Sequence, residues 1–267
     1  ARVGDFQRRK EAEERARRQR EEAERQRIAD AARAKAAEDA HIAEEARLAA
    51  EREKPLVILK FGRTEAGQRA AASHTGAITG ADDVHGAAFR QYGVMRVTDC
   101  NELYEVAKLL RRRKWPRGNR AAALTGSGGH SVLMADLGAA IGIDWVAYEN
   151  KTIEGLRKLL PSFGGVSNPT DLTSALTGSA RLFQDALNVV AADGGVDVLI
   201  PVLVAPTVAA IEEVVRLADT QEKPVAVLWT GYCPADPTIT AATLVARGLP
   251  VYRDAMTCLK AVRALMT

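Results

Sequence analysis

The chain contains few cysteines, and they are too scattered to form a covalent framework. Cys100, Cys233 and Cys258 are the only three in 267 residues. Their odd number and wide spacing argue against a disulfide scaffold and favour a reducing cytoplasm. None has the spacing of metal ligands, so the sequence predicts no metal site in this chain.

Long apolar segments and a strong excess of one charge are also missing. The longest apolar stretch, residues 196–211, contains Asp197, Pro201 and Pro206, so it predicts a buried strand and turn rather than a membrane span. The formal net charge is only +3, which is not the concentrated basic surface of a nucleic-acid-binding protein. Apolar residues make up 47% of the chain, enough for a globular core.

Residues 1–54 differ in composition from the rest of the chain. They hold 15 Lys or Arg and 14 Asp or Glu, are rich in Ala and contain no Pro. This favours a charged helix or a disordered segment stabilised by helix propensity and i,i+4 ion pairs. The large apolar residues in it are too sparse for a heptad seam or an apolar face, so we expect it to be solvated.

From Pro55 onward, short apolar runs alternate with amphipathic segments of helix length, which is typical of parallel strands joined by crossover helices. A polar linker at 111–118 suggests two α/β units, 55–115 and 116–267. The predicted strands are 56–59, 95–97, 120–124, 196–204, 225–229 and 250–252. The predicted helices are 82–92, 100–113, 129–141, 150–160, 179–192, 207–220, 237–247 and 254–266.

His74 lies in the run Ala72-Ser73-His74-Thr75-Gly76, shortly after the first predicted strand. Open α/β sheets bind ligands at the carboxyl ends of their strands, so the position favours function. An imidazole is largely unprotonated near neutral pH and can accept a phosphoryl group. From the residues alone, a histidine in such a loop is more often a hydrogen-bonded structural residue than a nucleophile.

A second candidate is the glycine loop, Thr125-Gly126-Ser127-Gly128-Gly129, between a predicted strand and a helix. Free amides at a helix N-terminus make an anion site, and phosphate is the natural ligand. A tight turn that needs glycine only for packing is the alternative. His130 is expected to be a helix-start residue rather than a second base. Residues 167–173, with Asn168-Pro169, are expected to shape the rim of the same crevice.

Taken together, these segments resemble the succinyl-CoA synthetase and ADP-forming acetyl-CoA synthetase superfamily. The segments that carry the resemblance are residues 54–60, 62–67, 72–77 and 125–129, followed by the C-terminal stretches 250–255 and 261–265.

The resemblance implies flavodoxin-like α/β domains with parallel sheets and flanking helices. It also implies a reversible reaction in which an acid, CoA and a nucleoside triphosphate give acyl-CoA, nucleoside diphosphate and phosphate. By that resemblance the phosphoryl group is carried on His74, and phosphate is bound by Thr75, Gly76, Thr125, Gly126, Ser127, Gly128 and Gly129.

The resemblance implies parts that this sequence does not contain. CoA and ATP/ADP or GTP/GDP, with Mg²⁺, are expected to bind largely on a CoA-binding domain and an ATP-grasp domain, as partner subunits of an oligomer. A small carboxylic acid is the expected acyl substrate. Two other functions stay open: a non-catalytic scaffold with an inherited ligase fold, and a flavin or nucleotide binder. The flavin site is disfavoured by an aromatic content of 5%.

Overall fold

The computed structural model describes residues 2–52, 54–75, 82–162, 164–173 and 181–266. By their contacts these residues divide into two units. Unit 1 comprises Ala1–Leu56 and Lys60–Val94, and unit 2 comprises Val57–Leu59 and Met95–Thr267. The domain division predicted from the sequence, 1–54, 55–115 and 116–267, remains a proposal.

Helices and strands alternate through most of the described chain. The helices are α1 Arg2–Glu51, α2 Glu65–Thr75, α3 Asp82–Gln91, α4 Cys100–Leu110, α5 Gly128–Ala140, α6 Asn150–Leu159, α7 Leu182–Ala191, α8 Val208–Thr220, α9 Ala241–Ala246 and α10 Ala255–Leu265. The strands are β1 Val57–Leu59, β2 Met95–Val97, β3 Arg120–Thr125, β4 Asp144–Trp145, β5 Thr170–Asp171, β6 Val198–Leu203, β7 Val227–Trp229 and β8 Val251–Tyr252.

In unit 1, the C-terminal half of α1 packs against α3. Side chains that are at least partly buried recur every three or four residues along one side of the helix: Ala31, Lys35, Asp39, Ile42, Ala46 and Ala49. The imidazole Nε2 of the buried His85 lies 2.8 Å from Oδ1 of Asp39 and so ties the two helices together. Residues 13–28, which precede this contact surface in α1, are all exposed. The expectation that this segment has no buried face was therefore wrong for its second half.

In unit 2, the larger sheet has six strands, all parallel, in the order β4-β3-β6-β7-β8, and β5 pairs with the end of β3. This order corresponds to the flavodoxin pattern 2-1-3-4-5. The order reverses between β3 and β6, where consecutive connections leave in opposite directions. The flavodoxin-like α/β fold expected from the sequence is confirmed.

Helices cover both faces of this sheet, and the strands alternate between two hydrophobic clusters. In β3, Ala122 and Leu124 face the cluster formed with α6, α7 and α8, whereas Ala121 and Ala123 face the cluster formed with α4, α5 and α10. Burial on both faces explains why these strands appear in the sequence as continuous apolar runs.

Strands β1 and β2 form a separate two-stranded parallel sheet within unit 2. Their side chains and those of α4 join the second hydrophobic cluster, where Val97 and Val106 are fully buried. Helix α10 packs against both α4 and β2.

Three elements differ from the sequence-based predictions. Helix α2 occupies a segment that was expected to be a loop, because its alanines favour helix in spite of Gly67. Strands β4 and β5 have two residues each, which is too short for an apolar pattern to show. Among the described residues, none of the helices combines the length and apolarity that crossing a bilayer requires.

Candidate functional site at the carboxyl edge of the larger sheet

The glycine loop follows β3 at the point where the strand order of the sheet reverses. Open α/β sheets bind ligands at this position, because the two neighbouring connections diverge and leave a crevice. Ser127 is the N-cap of α5, with extended backbone angles and a side-chain oxygen that accepts the N–H of His130 at 3.4 Å. The strand, turn and helix predicted around this loop are confirmed.

The remaining hydrogen bonds of the loop leave the amides of Gly128 and Gly129 available. The N–H of Ser127 donates to Oγ1 of the buried Thr125 at 3.2 Å, and the N–H of Ser131 donates to the Ser127 carbonyl at 3.0 Å. Gly128 and Gly129 are exposed, and their N–H groups have no acceptor among the described residues. Two unpaired amides at the positive end of a helix form a site for a small anion.

His130 joins this loop to the end of β7. Its Nδ1 lies 3.1 Å from Oγ of Ser127, and its Nε2 lies 3.1 Å from Oγ1 of Thr230. Because β6 lies between β3 and β7 in the sheet, the ring spans the carboxyl end of β6. The sequence identified His130 as a helix-start residue but gave no sign of this bridge, since its partner is 100 residues away in the chain.

Asn168 completes the sheet beside the site. Its side-chain oxygen accepts the N–H of Ala123 at 3.1 Å, and its side-chain nitrogen donates to the carbonyls of Ala121 and Val146 at 2.7 and 3.0 Å. The Asn168-Pro169 peptide bond is cis. The amide thus replaces a missing stretch of strand between β3 and β4, which agrees with the structural role expected for residues 167–173.

Asp171 brings a carboxylate to the same edge of the sheet. Residue pairing aligns it with Thr125, and its Oδ1 accepts the N–H of Thr173 at 2.8 Å. Its Oδ2 lies so close to Gly128 that a Cβ on that residue would be 2.9 Å away. A carboxylate near a helix N-terminus is favourable in itself, but it also raises the electrostatic cost of binding a phosphate there.

The connections after β6 and β7 also approach each other closely at this edge. A Cβ on Gly231 would lie 1.6 Å from the carbonyl oxygen of Val204, so only glycine fits. Directly after it, Tyr232 is 69% exposed, whereas Cys233 is buried. Tyr232 therefore presents its ring to solvent from this connection, while Cys233 belongs to the core rather than to a reactive site.

The residues proposed around the histidine lie in unit 1. His74 and Thr75 form the last turn of α2, so the backbone there is helical rather than the loop expected from the sequence. Gly76 lies outside the described residues. Thr125, Gly126, Ser127, Gly128 and Gly129 are brought together at the end of β3 in unit 2. A shared site between the two groups remains a proposal.

No cluster of three or more His, Cys, Asp or Glu side chains in the described part of the chain is arranged to hold a metal ion. The three cysteines are free. The described carboxyl edge of this sheet can bind an anion through main-chain amides at the start of α5.

Comparison with known proteins gives this geometry a context. Residues 21–110 match the succinyl-CoA ligase like flavodoxin domain family, a match that begins within α1. Over 158 residues the chain is 38% identical to the ADP-forming acetate–CoA ligase II subunit alpha of Pyrococcus furiosus, covering 59% of this chain and 34% of that protein. Over 152 residues it is 35% identical to the ADP-forming acetate–CoA ligase I of Archaeoglobus fulgidus, covering 57% of this chain and 22% of that protein.

A solved structure of a synthetase is also similar to this chain. The dinucleotide forming acetyl-coenzyme A synthetase 1 of Ca. Korarchaeum cryptofilum, in complex with phosphate and ADP, superimposes with a TM-score of 0.70 at 26% identity, covering 85% of this chain and 49% of that one. The chain thus spans about a third or less of the two sequence relatives and about half of the solved one. These matches place a succinyl-CoA ligase like flavodoxin domain at residues 21–110 and show that the chain is similar to ADP-forming acetate–CoA ligases over more than half of its length.

Proposed function

We propose that this chain is the phosphohistidine and ligase portion of an NDP-forming acyl-CoA synthetase, which converts an acid, CoA and a nucleoside triphosphate into acyl-CoA, nucleoside diphosphate and phosphate, reversibly. The observation that carries the proposal is the pair of unpaired amides at Gly128 and Gly129, at the reversal point of a flavodoxin-like sheet. The ADP-forming ligases among its relatives support the same reaction class.

His74 is the proposed phosphoryl carrier. In the direction of nucleoside triphosphate synthesis, an imidazole nitrogen attacks the phosphorus of an acyl phosphate. A P–N bond forms, the P–O bond to the acyl group breaks, and the carboxylate leaves with the electron pair. A terminal oxygen of the nucleoside diphosphate then attacks the phosphohistidine and releases the neutral imidazole.

The glycine loop would stabilise the transferred group. A phosphoryl group carries charge on several oxygens, and main-chain amides that are already fixed in place can stabilise this charge without reorganising. The partial positive charge at the N-terminus of α5 adds to the effect. Asp171 opposes it, so binding in this loop depends on the balance between the two.

The remaining substrates would be bound by other domains or subunits. Mg²⁺ binds phosphates with few protein ligands, and it would arrive with the nucleotide on an ATP-grasp partner. CoA would occupy a CoA-binding domain in the assembled, cytoplasmic enzyme. The designation of one relative as a subunit alpha fits a divided enzyme of this kind.

The test is to reconstitute the full chain with an ATP-grasp subunit and a CoA-binding domain from a related synthetase, and to supply ATP labelled at the γ-phosphate. We expect acid-labile, base-stable label on the wild-type chain and none on the His74→Asn variant. His41→Asn, which alters an exposed histidine of α1, is the matched control and should be labelled normally. Equal labelling of the wild type and His74→Asn, or none in either with an active partner, would overturn the proposal and favour the scaffold function.

A further inference from the structure

A basic cleft of about 340 Å³ opens at the amino edge of the larger sheet in unit 2. It lies between the segment before β3 and those before β6 and β7. We propose that this cleft binds an adenosine phosphate, with Trp115 stacking on the base and Arg113 and Arg117 contacting the phosphates. Its lining residues are Arg113, Lys114, Trp115, Arg117, Arg120, Gly194, Val196, Asp197, Gln221, Glu222 and Lys223.

Two lysines of the cleft are held in place by helix ends. The ammonium of Lys114 donates to the carbonyls of Ala218, Asp219 and Gln221 at the end of α8. That of Lys223 donates to the carbonyls of Ala191 and Asp193 after α7. These lysines cap the C-terminal ends of α8 and α7, and their ammonium groups are held in place at one side of the cleft.

Burial and neighbouring cations disfavour the charged forms of both lysines. The pKa of Lys114 is lowered by burial first and by the charge of Arg112 second. The pKa of Lys223 is lowered by burial and by the charge of Arg117, against the opposing effect of nearby carboxylates. A bound anion would relieve this repulsion.

The two carboxylates that line the cleft, Asp197 and Glu222, lie beside its cations. Arg120 donates from Nε and one Nη to the two oxygens of Asp197, at 2.8 and 3.0 Å. Glu222 is exposed and near Lys114, whose pKa its charge raises. Asp193, just behind the lining, is buried and accepts the N–H groups of Glu149 and Gly195.

Arg113 and Arg117 remain available for a ligand. Both are exposed, and neither forms an ion pair within the described part of the chain. Arg113 has a φ of 51°, a left-handed conformation that a residue with a side chain adopts at a cost. The position just after a helix end usually takes glycine or asparagine, so the arginine there points to a function of its side chain.

Trp115 lies between these two arginines in the chain and is 43% exposed. An exposed indole face beside guanidinium groups offers a stacking surface for a base, and guanidinium groups bind phosphates in a forked geometry. The volume falls in the range of small-molecule sites. ADP and CoA both carry an adenosine phosphate and are the two possible sources.

This site is distinct from the glycine loop. Arg120 begins β3 and the glycine loop follows its end, so the two lie about 20 Å apart at the usual rise of a strand. The inference therefore goes beyond the proposed function, and only the choice of ADP and CoA as the ligands to test rests on that function.

The experiment measures binding of ADP, CoA and inorganic pyrophosphate to the full chain by calorimetry, and follows Trp115 by fluorescence. Trp229 is buried and the indole N–H of Trp145 is bonded to the Ala135 carbonyl, so quenching that disappears in Trp115→Phe reports the cleft. We expect ADP or CoA to bind at least tenfold more tightly than pyrophosphate, and the tighter of the two identifies the source.

Variants separate this cleft from the other anion site. Arg113→Asn, which suits the left-handed backbone, and Arg117→Gln should each weaken binding about tenfold, whereas the control Arg157→Gln on α6 and Ser127→Ala in the glycine loop should not. Equal affinity for pyrophosphate and ADP, quenching that persists in Trp115→Phe, or loss of binding only in Ser127→Ala would each overturn the proposal.

Discussion

Gly128 and the carboxylate of Asp171 are in such close contact that a methyl group on residue 128 would lie 2.9 Å from Oδ2 of the aspartate. The first residue of α5 is therefore fitted to a side chain from β5, a strand with which α5 also packs. At Gly129 the nearest atom to such a methyl group, Oγ of Ser127, would be 3.9 Å away. The two adjacent glycines thus stand in different surroundings.

Gly128→Ala should destabilise the protein by about 1 kcal/mol, because crowding against Asp171 outweighs the gain in helix propensity. Gly129→Ala is the matched control and should be neutral or slightly stabilising, since its methyl group would meet Oγ of Ser127 at an ordinary contact distance. Denaturant unfolding of both variants measures the difference. Equal free energies of unfolding would show that the contact with Asp171 carries no cost.

Asp171→Asn should increase the affinity of the glycine loop for inorganic phosphate several-fold. The substitution keeps the shape of the side chain and an acceptor for the N–H of Thr173, but removes a negative charge beside the anion site. Phosphate titration by calorimetry at low and high salt checks this, and the gain should shrink as salt is added. An unchanged affinity would place phosphate elsewhere.

The bridge from His130 to Thr230 should appear as an energetic coupling between the two connections. In a double-mutant cycle of His130→Ala and Thr230→Val, we expect a coupling of about 0.5–1.5 kcal/mol, typical of one hydrogen bond. His130→Ala combined with Thr238→Val, whose hydroxyl bonds to Asp236, should give a coupling near zero. Similar values for the two cycles would argue against the bridge.

The Arg120–Asp197 ion pair predicts a specific loss of stability in acid. The pKa of Asp197 is lowered, mainly by its hydrogen bond from Arg120. The pair therefore contributes its full stability above the unfolded-state pKa of about 3.9, and this contribution is lost as the pH falls through the lower folded-state value. Between pH 5 and 2, the free energy of unfolding should fall less steeply in Asp197→Asn than in the wild type.

Asp144→Asn, which removes an exposed carboxylate of the same sheet, is the control for that measurement. Urea unfolding at closely spaced pH values gives the slopes. If Asp197→Asn and the wild type lose stability in parallel, the ion pair does not contribute in this pH range.

The sequence predicted the main strands well, because each buried strand is an apolar run bounded by polar residues. Residues 198–203 are all buried, and so are residues 224–229. β5 could not be found in the same way, since its two residues, Thr170 and Asp171, are polar and are held by pairing with β3. The contact of Asp171 with Gly128 depends on that pairing, and the contact of His130 with Thr230 depends on the order of β3, β6 and β7 in the sheet. No local sequence pattern predicts either contact.

Small side chains explain what was missed in the helical regions. Among the described side chains of α1, the most buried is that of Ala46, at 2% exposure. Alanines scattered through a highly charged sequence are not recognisable as an apolar face. In α2, Gly67 suggested a loop. The structure shows instead that Gly67 lies within the helix and packs closely against Gly62, whose Cα would be 3.3 Å from a Cβ at residue 67. The glycine loop was predictable because its pattern of strand, glycine and helix is local.

The six side chains that recur along the partly buried side of α1 are spread over five turns of helix, and three of the six, Ala31, Ala46 and Ala49, are alanines that each bury little area. A contact that is spread over many small side chains tolerates point substitutions that would detach a helix held by one large residue. Shortening the second half of α1, by contrast, removes these side chains one after another and should weaken the packing of the helix in unit 1 gradually.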